Sequence, residues 1–358
     1  MATGSADLNR NNLDFLRLIL ASTVFLFHVN ALTNLPAFSF FGKYLSAPFA
    51  VRSFFVISGL LIYRSYTRSS SIRSYFEKRV RRIYPAYFTI VTLAAVAFSS
   101  LSTLPLSRYF GIGFWKYLGA NLIFLNFLAP SLPGVFTTNP MQPVNGALWT
   151  LKIEAAFYIL IPLIHSLCNR FGTKRTMTVI FFLSCLWKYG FALLASMDSS
   201  HGAYYSLDSS RSIYAQLEVQ IPGQLLYFTA GILILLFFEN LKHRFGLVSF
   251  LTACLYLIDH FFTKGYLDVL WISGIVLVVG FWRYLGNFSK YGDFSYGVYI
   301  VHWPILQTLI FFGLAVKLAP AGFLLLSLLL VTLISALMWH LVENRFLATS
   351  SHYRQAVK

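Results

Sequence analysis

Residues 13–33 read LDFLRLILASTVFLFHVNALT, an apolar run interrupted by Asp14, Arg17 and His28. Its length matches the ~20 residues that one helical crossing of a bilayer requires. A cleavable signal would not carry those three groups in its hydrophobic segment, so the stretch is read as a retained first span. The rest of the chain has the same character. Of its 358 residues, 57% are hydrophobic, 18% aromatic and 11% charged, whereas soluble domains carry about 25% charged residues. A globule of this size with so few charges could not cover its own surface, which excludes an ordinary soluble protein and a disordered one. The 28 Lys and Arg against 12 Asp and Glu give a formal charge of +16. In a membrane protein that excess marks cytoplasmic loops rather than a nucleic-acid partner. Cys168, Cys185 and Cys254 stand alone in apolar runs, with neither disulfide nor zinc spacing, and no metal is expected.

The hydropathy pattern predicts an all-α, polytopic membrane protein with ten spans, near 13–33, 45–64, 83–103, 147–168, 176–196, 219–238, 247–262, 267–282, 293–312 and 321–341. Residues 115–130 are apolar but short and flanked by prolines, and read as a re-entrant or interfacial piece. With the N-terminus inside, every inner segment is basic, including Arg64–Arg82, Arg170–Arg175 and Lys242–Arg244. One error in the span count would invert half of the loops and destroy that asymmetry, so the expected topology is N-in/C-in. Residues 1–358 are expected to form a single membrane domain.

Ionisable groups inside spans are costly, so each is a candidate for function, with a structural ion pair as the alternative. Arg17 and His28 are eleven residues apart, about three turns plus 20°, and so share a helix face roughly 16 Å apart along the axis. Asp14 and Ala21 lie on the same stripe, and Asp14 can pair with Arg17. This layout suits a long substrate with an anionic head held by Arg17 and a reactive tip that meets His28. A histidine satisfied by a backbone carbonyl is as good a reading of His28 alone. Arg79 and Arg82, at i and i+3 before Tyr84-Pro85, offer a phosphate site at the inner mouth, although most of that basic segment reads as a membrane-orienting loop. Pro85 marks a break or the start of the third span. In Leu148-Trp149-Thr-Leu-Lys152-Ile-Glu154-Ala-Ala-Phe-Tyr158, Glu154 lies about two turns into its span and needs a partner: His28, Lys152 or a substrate hydroxyl. Trp149 and Tyr158 accompany it. Asp293-Phe-Ser295-Tyr296-Gly297-Val-Tyr299-Ile-Val-His302-Trp303-Pro304 places His302 in mid-membrane, as a ligand-lining or a structural group. His340 and Glu343 read as an inner-surface cap, His165 as structural, and His201, His243, His260 and His352 as solvated or interfacial.

Together these segments resemble the acyltransferase 3 family. Arg17 to His28 fits its Arg-x10-His motif, Phe54-Phe-Val-Ile-Ser58-Gly59 its FFxxSG signature, and Arg79-x-x-Arg82 its RxxR segment. Leu148 to Tyr158 fits LWSLxxExxFY, with Thr150 where Ser is usual. Phe294 to Pro304 fits the SYxxYxxHxP segment, and Val342-Glu343-Asn344-Arg345-Phe346 is similar to the closing VExPF pattern. The resemblance implies a stand-alone, multi-pass enzyme of a bacterial cytoplasmic (inner) membrane. Such an enzyme would move an acyl group, usually acetyl, from cytoplasmic acyl-CoA to a hydroxyl of a cell-surface glycan or glycolipid. On that reading Arg17, Arg79 and Arg82 hold the phosphates of acyl-CoA. His28 acts as general base with Glu154 orienting it, and Asp14, Trp149, Tyr158, Ser295, Tyr296 and His302 line the substrates. Direct transfer is preferred to an acyl-His intermediate. Two other classes compete with this reading: a proton-coupled transporter or flippase of sugars or glycolipids, and a scaffolding subunit of an envelope complex. The first lacks the related halves it would need, and the second leaves the Arg17/His28/Glu154 alignment without a purpose.

Overall fold

The structure, a computed structural model, describes residues 8–198, 212–348 and 351; His201 and His352 lie outside them. The described residues are helical, with no β-strand. The longer helices are α1 (Leu13–Thr33), α2 (Ala47–Thr67), α3 (Ile72–Ala97), α4 (Ile112–Leu122), α5 (Trp149–Phe171), α6 (Thr173–Met197), α7 (Ile221–Leu241), α8 (Phe245–Ile258), α9 (Asp268–Phe281), α10 (Phe294–Phe311) and α11 (Pro320–Met338).

A helix lies at each of the ten expected spans, but among the described residues seven stretches are both long and apolar enough to cross a membrane. Three features account for the difference. Helices α7 and α8 fall within one helical run, Ile213–Thr263. At 51 residues, a straight helix would be about 75 Å long, over twice a hydrocarbon core. The run is broken at Arg244, whose backbone leaves helical values at φ −127°, ψ 24°. Helix α9 has only 14 residues. Helix α10 carries His302 and Gln307 within its 18 residues, which dilutes its apolar character. The 115–130 piece is the short α4 followed by a turn at Asn126–Leu128.

Pro85 does not break or start the third span, because α3 runs through it. The basic segment Arg73–Arg82 is therefore the first turns of a helix, not a loop. Proline inside a helix removes one N–H and strands the carbonyl four residues earlier. Apolar surroundings tolerate this when a side chain supplies the missing donor. For Pro162 in α5 that donor is Tyr75, whose hydroxyl donates to the Tyr158 carbonyl at 3.2 Å. For Pro304 in α10 it is Asn145, whose Nδ2 donates to the Ile300 carbonyl at 2.8 Å.

The chain forms two compact units. The first comprises Met1–Leu13, Arg52–Tyr75 and Ile153–Gly286; the second comprises Asp14–Val51, Phe76–Lys152 and Asn287–Lys358. In the first, α2 and α7 touch backbone to backbone. A Cβ on Gly59 would strike the Phe228 carbonyl, and one on Gly231 the Val56 carbonyl. Small residues let apolar helices approach this closely, which gives the glycine of the FFVISG stretch its purpose. Phe157 fills the space beside them, 4.2 Å from Phe228 and 5.4 Å from Phe55 between ring centroids. Asn12 closes the end of α9. Its Nδ2 donates to the carbonyls of Val279 and Arg283 at 3.0 and 2.6 Å, and its backbone N–H donates to Gly280 at 2.8 Å.

The first unit also buries a charge cluster that the sequence did not announce. Asp268 accepts from Arg52 at 2.6 Å, Tyr227 at 2.6 Å and Tyr189 at 3.1 Å, with the Lys188 ammonium 3.5 Å away. Glu218 lies 3.9 Å from both Arg52 and Lys188. Removing one partner from a buried ion pair costs about 3–5 kcal/mol. Asp268→Ala is therefore expected to lower the thermal unfolding midpoint in detergent by several degrees. Glu77→Ala, which removes an exposed 2.8 Å pair with Arg81, should leave it unchanged. Equal midpoints in the two variants would remove the cluster from the forces that hold this unit together.

Candidate active site

The second unit contains most of the expected site. Helix α1 supplies Asp14, Arg17 and His28, α3 supplies Arg79 and Arg82, and α10 with its cap supplies Asp293, Ser295, Tyr296 and His302. Asp293 is the side-chain N-cap of α10: its carboxylate accepts from the Ser295 backbone N–H at 3.1 Å and from the Ser295 hydroxyl. Its other oxygen accepts from Arg17 at 2.6 Å and from Arg82. Asp14 stands 3.9 Å from Arg17. The Arg82 guanidinium lies 6.0 Å above the Tyr296 ring, and the Tyr296 hydroxyl donates to the Ile83 carbonyl at 3.0 Å. Glu343, expected at an inner-surface cap, is buried instead, 3.6 Å from Arg82, in a π-type turn that follows α11. Among the described residues, its two carboxylate oxygens accept no hydrogen bond. His340 is exposed, as a cap would be, against Phe294.

Farther along the same two helices, the Nδ1 of His28 meets the Nε2 of His302 at 2.9 Å. The ring planes differ by 7° and the centroids lie 5.1 Å apart, so the imidazoles meet edge to edge in nearly one plane. The Arg17–Asp293 and His28–His302 contacts occur in the same order along both helices, so α1 and α10 run parallel. Two spans of one chain are parallel when an odd number of crossings separates them, and the seven spans expected between these two satisfy that.

For two neutral imidazoles, the hydrogen bonds fix the tautomers. The Nδ1 of His302 faces the Val298 carbonyl at 3.0 Å. A carbonyl only accepts, so this nitrogen carries the proton and the Nε2 of His302 has a lone pair. The Nδ1–H of His28 then donates to it, which leaves the Nε2 of His28 unprotonated. Trp303 packs across the His28 ring at 4.8 Å and 71°. Its Nε1–H donates to the Pro143 carbonyl at 3.1 Å, and a Cβ on Gly146 would collide with its ring. A neutral imidazole with a fixed lone pair, in an aromatic setting, can take a proton from an attacking hydroxyl.

Trp149 lies in the second unit and is exposed at the start of α5, one residue before Thr150, whose hydroxyl is 2.7 Å from that of Tyr299. Glu154 and Tyr158 belong to the first unit, where the Tyr158 hydroxyl donates to Glu154 at 2.7 Å. His165 sits there too, beside Tyr63 and Tyr66. Asp293, Trp303 and Gln307 carry no functional signal in the sequence. An Asp two residues before Ser at the head of an apolar run is a capping signal, but nothing in the sequence pairs that Asp with Arg17 and Arg82. Among the described residues, no three His, Cys, Asp or Glu side chains are grouped to hold a metal ion.

A sequence profile of an acyltransferase domain matches residues 10–340. The chain belongs to the acyltransferase 3 family. Among curated relatives it is similar to nodulation protein 10 of Rhizobium leguminosarum bv. viciae, 26% identical over 329 residues, covering 85% of each chain. It is similar to an O-acetyl transferase of Shigella phage Sf6, 29% identical over 352 residues, covering 95% of this chain and 97% of that one. It also resembles O-acetyltransferase OatA of Staphylococcus aureus, 26% identical over 192 residues, but this match covers 49% of this chain and 28% of that protein. No solved structure matches the chain. As an acyltransferase 3 protein with, among the described residues, seven helical stretches of spanning character, it is a multi-pass membrane acyltransferase.

Asp293 has two separable jobs, capping α10 and joining two guanidiniums. Asp293→Asn keeps the cap acceptor and loses the charge, whereas Asp293→Ala loses both. Both variants should unfold below wild type, with Ala about 1 kcal/mol less stable than Asn, read from thermal unfolding of the purified proteins. Equal stabilities for Asn and Ala would show that the cap contributes nothing.

Proposed function

We propose that this protein is an O-acetyltransferase that moves an acetyl group from cytoplasmic acetyl-CoA to a hydroxyl of a cell-surface glycan or glycolipid. The reading includes a plasma membrane, ten spans with both termini inside, and both compact units acting as one membrane domain. In that topology Arg17 and Asp293 lie at the inner end of parallel helices and His28 and His302 lie farther out. Family membership and the name of the phage relative support the acetyl transfer.

The single observation that carries the mechanism is the 2.9 Å bond between His28 and His302. His28 is the general base. As the acceptor hydroxyl oxygen attacks the thioester carbonyl, the Nε2 of His28 takes the hydroxyl proton. The carbon–sulfur bond breaks, and the departing thiolate of CoA receives that proton from the imidazolium. His302 is a positioning residue that holds His28 in the tautomer the step needs. Glu154 is kept as the second catalytic candidate, with the Tyr158 hydroxyl donating to it. Arg17, Arg79 and Arg82 bind the phosphates of the donor. Asp293 supports that role by keeping two of these guanidiniums adjacent on one carboxylate oxygen, a spacing that a phosphate can bridge. Asp14, Trp149, Ser295 and Tyr296 complete the lining. Direct transfer is preferred, because a base aimed through a fixed tautomer does not require a covalent acyl-histidine.

Purified protein with radiolabelled acetyl-CoA and an extract of surface glycans tests this. His28→Ala should lower transfer by about 10²–10⁴-fold, the usual contribution of a general base. His302→Ala should lower kcat while leaving the KM for acetyl-CoA in place. Joint Arg79→Ala and Arg82→Ala should raise that KM while kcat at saturation survives. Transfer that persists in His28→Ala would overturn the mechanism. Wild-type protein that neither binds nor consumes acetyl-CoA would overturn the donor assignment.

A further inference from the structure

The segment from Asn139 to Gly146, in the proline-rich stretch before α5, is bound to α10 by a set of hydrogen bonds that the mechanism does not use. Gln307 is wholly buried, and its side-chain amide is committed throughout. Its Nε2 donates to the carbonyls of Met141 and Pro143, each at 2.8 Å. Its Oε1 accepts from Asn139 Nδ2 at 2.8 Å, and the same Nδ2 donates to the Gln307 backbone carbonyl at 2.9 Å. Two turns earlier, Asn145 fills the Ile300 carbonyl that Pro304 leaves open. Between these two ties, Pro143 accepts from Trp303, Gly146 lies under the Trp303 ring, and Trp303 covers His28. The contacts run without interruption from Gln307, through the segment and the indole, to the imidazole.

A buried amide with every donor and acceptor used is expensive to assemble and is not needed to hold an apolar helix in lipid. Here it fixes the loop that Trp303, the neighbour of His28, rests against. We infer that Asn139–Gly146, held by Gln307, is a fixed wall that keeps water from the His28 side of the site, so that the acyl group passes to the acceptor hydroxyl and not to water. Gln307 is the positioning residue of that wall. The inference rests on the proposed acyl transfer for its catalytic consequence, but not for its geometry.

In hydrolysis, water would take the place of the acceptor. Its oxygen bonds to the thioester carbonyl carbon, the carbon–sulfur bond breaks, one water proton passes through His28 to the thiolate, and acetic acid and CoA leave. Gln307→Leu keeps the side chain's bulk and removes all three side-chain hydrogen bonds. Asn139→Ala removes the two that Asn139 donates and spares Gln307, which covers the case in which the leucine variant does not fold. Two readouts follow. The first is the ratio of labelled acetate released to acetyl transferred to glycan, with KM for acetyl-CoA measured alongside. The second requires no turnover. His28→Cys is placed in a background with Cys168, Cys185 and Cys254 changed to Ala, and its modification by a charged methanethiosulfonate is timed with and without Gln307→Leu.

The expected results are a rise of about tenfold in the release-to-transfer ratio at unchanged donor KM, and modification of Cys at position 28 faster by a similar factor. A tenfold shift corresponds to ~1.4 kcal/mol, the net worth of one or two hydrogen bonds. Unchanged modification rates in folded Gln307→Leu and Asn139→Ala proteins would overturn the wall. If modification accelerates while wild-type protein consumes no acetyl-CoA, the wall stands and the acetyl-CoA reading falls.

Discussion

A carboxylate with almost no exposure carries two guanidiniums and the first turn of a helix, and the arrangement of the second unit depends on it. Asp293 is 3% exposed. A charge at that burial persists only when it is paired and hydrogen-bonded. Arg17 of α1 and Arg82 of α3 supply the pairing, and Ser295 supplies the cap. One residue thereby sets the register of three helices. Sliding α10 by a single residue would rotate its side chains by about 100°. Asp293 would leave both arginines, and His302 would leave His28. Because both contacts must hold at once, the ion pairs at the start of α10 select the imidazole contact at its middle. Interhelical apolar packing could not do this, since lipid competes for the same surfaces.

The ordering continues into protonation. The Val298 carbonyl fixes the proton on His302, which fixes that of His28, which determines the nitrogen that can accept a proton. Val298 lies four residues before His302, so the backbone of α10 itself sets the tautomer of a side chain on α1. The same helix receives Asn145 where Pro304 withholds an N–H. In the segment His302-Trp303-Pro304, three neighbouring residues therefore act on one ring: His302 holds its edge, Trp303 covers its face, and Pro304 opens the carbonyl that ties down the adjoining loop.

The parts of this that were legible in the sequence are those written in local spacing. The shared face of Arg17 and His28 follows from eleven residues at 3.6 per turn. Helices at all ten expected spans follow from apolar length. What was not legible depends on partners far along the chain. Asp293 meets Arg17 across 276 positions, and His302 meets His28 across 274. No periodicity encodes either pairing. The sequence therefore offered Glu154 to orient His28, because a carboxylate beside a histidine is the commoner pattern, whereas the structure supplies a second histidine at Nδ1. Pro85 was misread because a proline in water usually ends a helix, while in apolar surroundings the helix continues through it. Gln307 gave no signal beyond being an amide in an apolar run.

The two units show why an intramembrane charge alone is a weak guide to chemistry. In the first, Asp268 collects Arg52, Tyr189, Tyr227 and the nearby Lys188, and the charges of Arg52, Lys188, Asp268 and Glu218 cancel. Such a cluster is saturated by its own side chains and has the character of a brace. In the second, Glu343 is as deeply buried as Asp268, yet among the described residues its carboxylate oxygens accept no hydrogen bond and the Arg82 guanidinium stands 3.6 Å away. Both look alike as ionisable residues in apolar sequence. What distinguishes them is the tally of donors and acceptors, which is supplied by residues distant in the chain and so is not written in hydropathy.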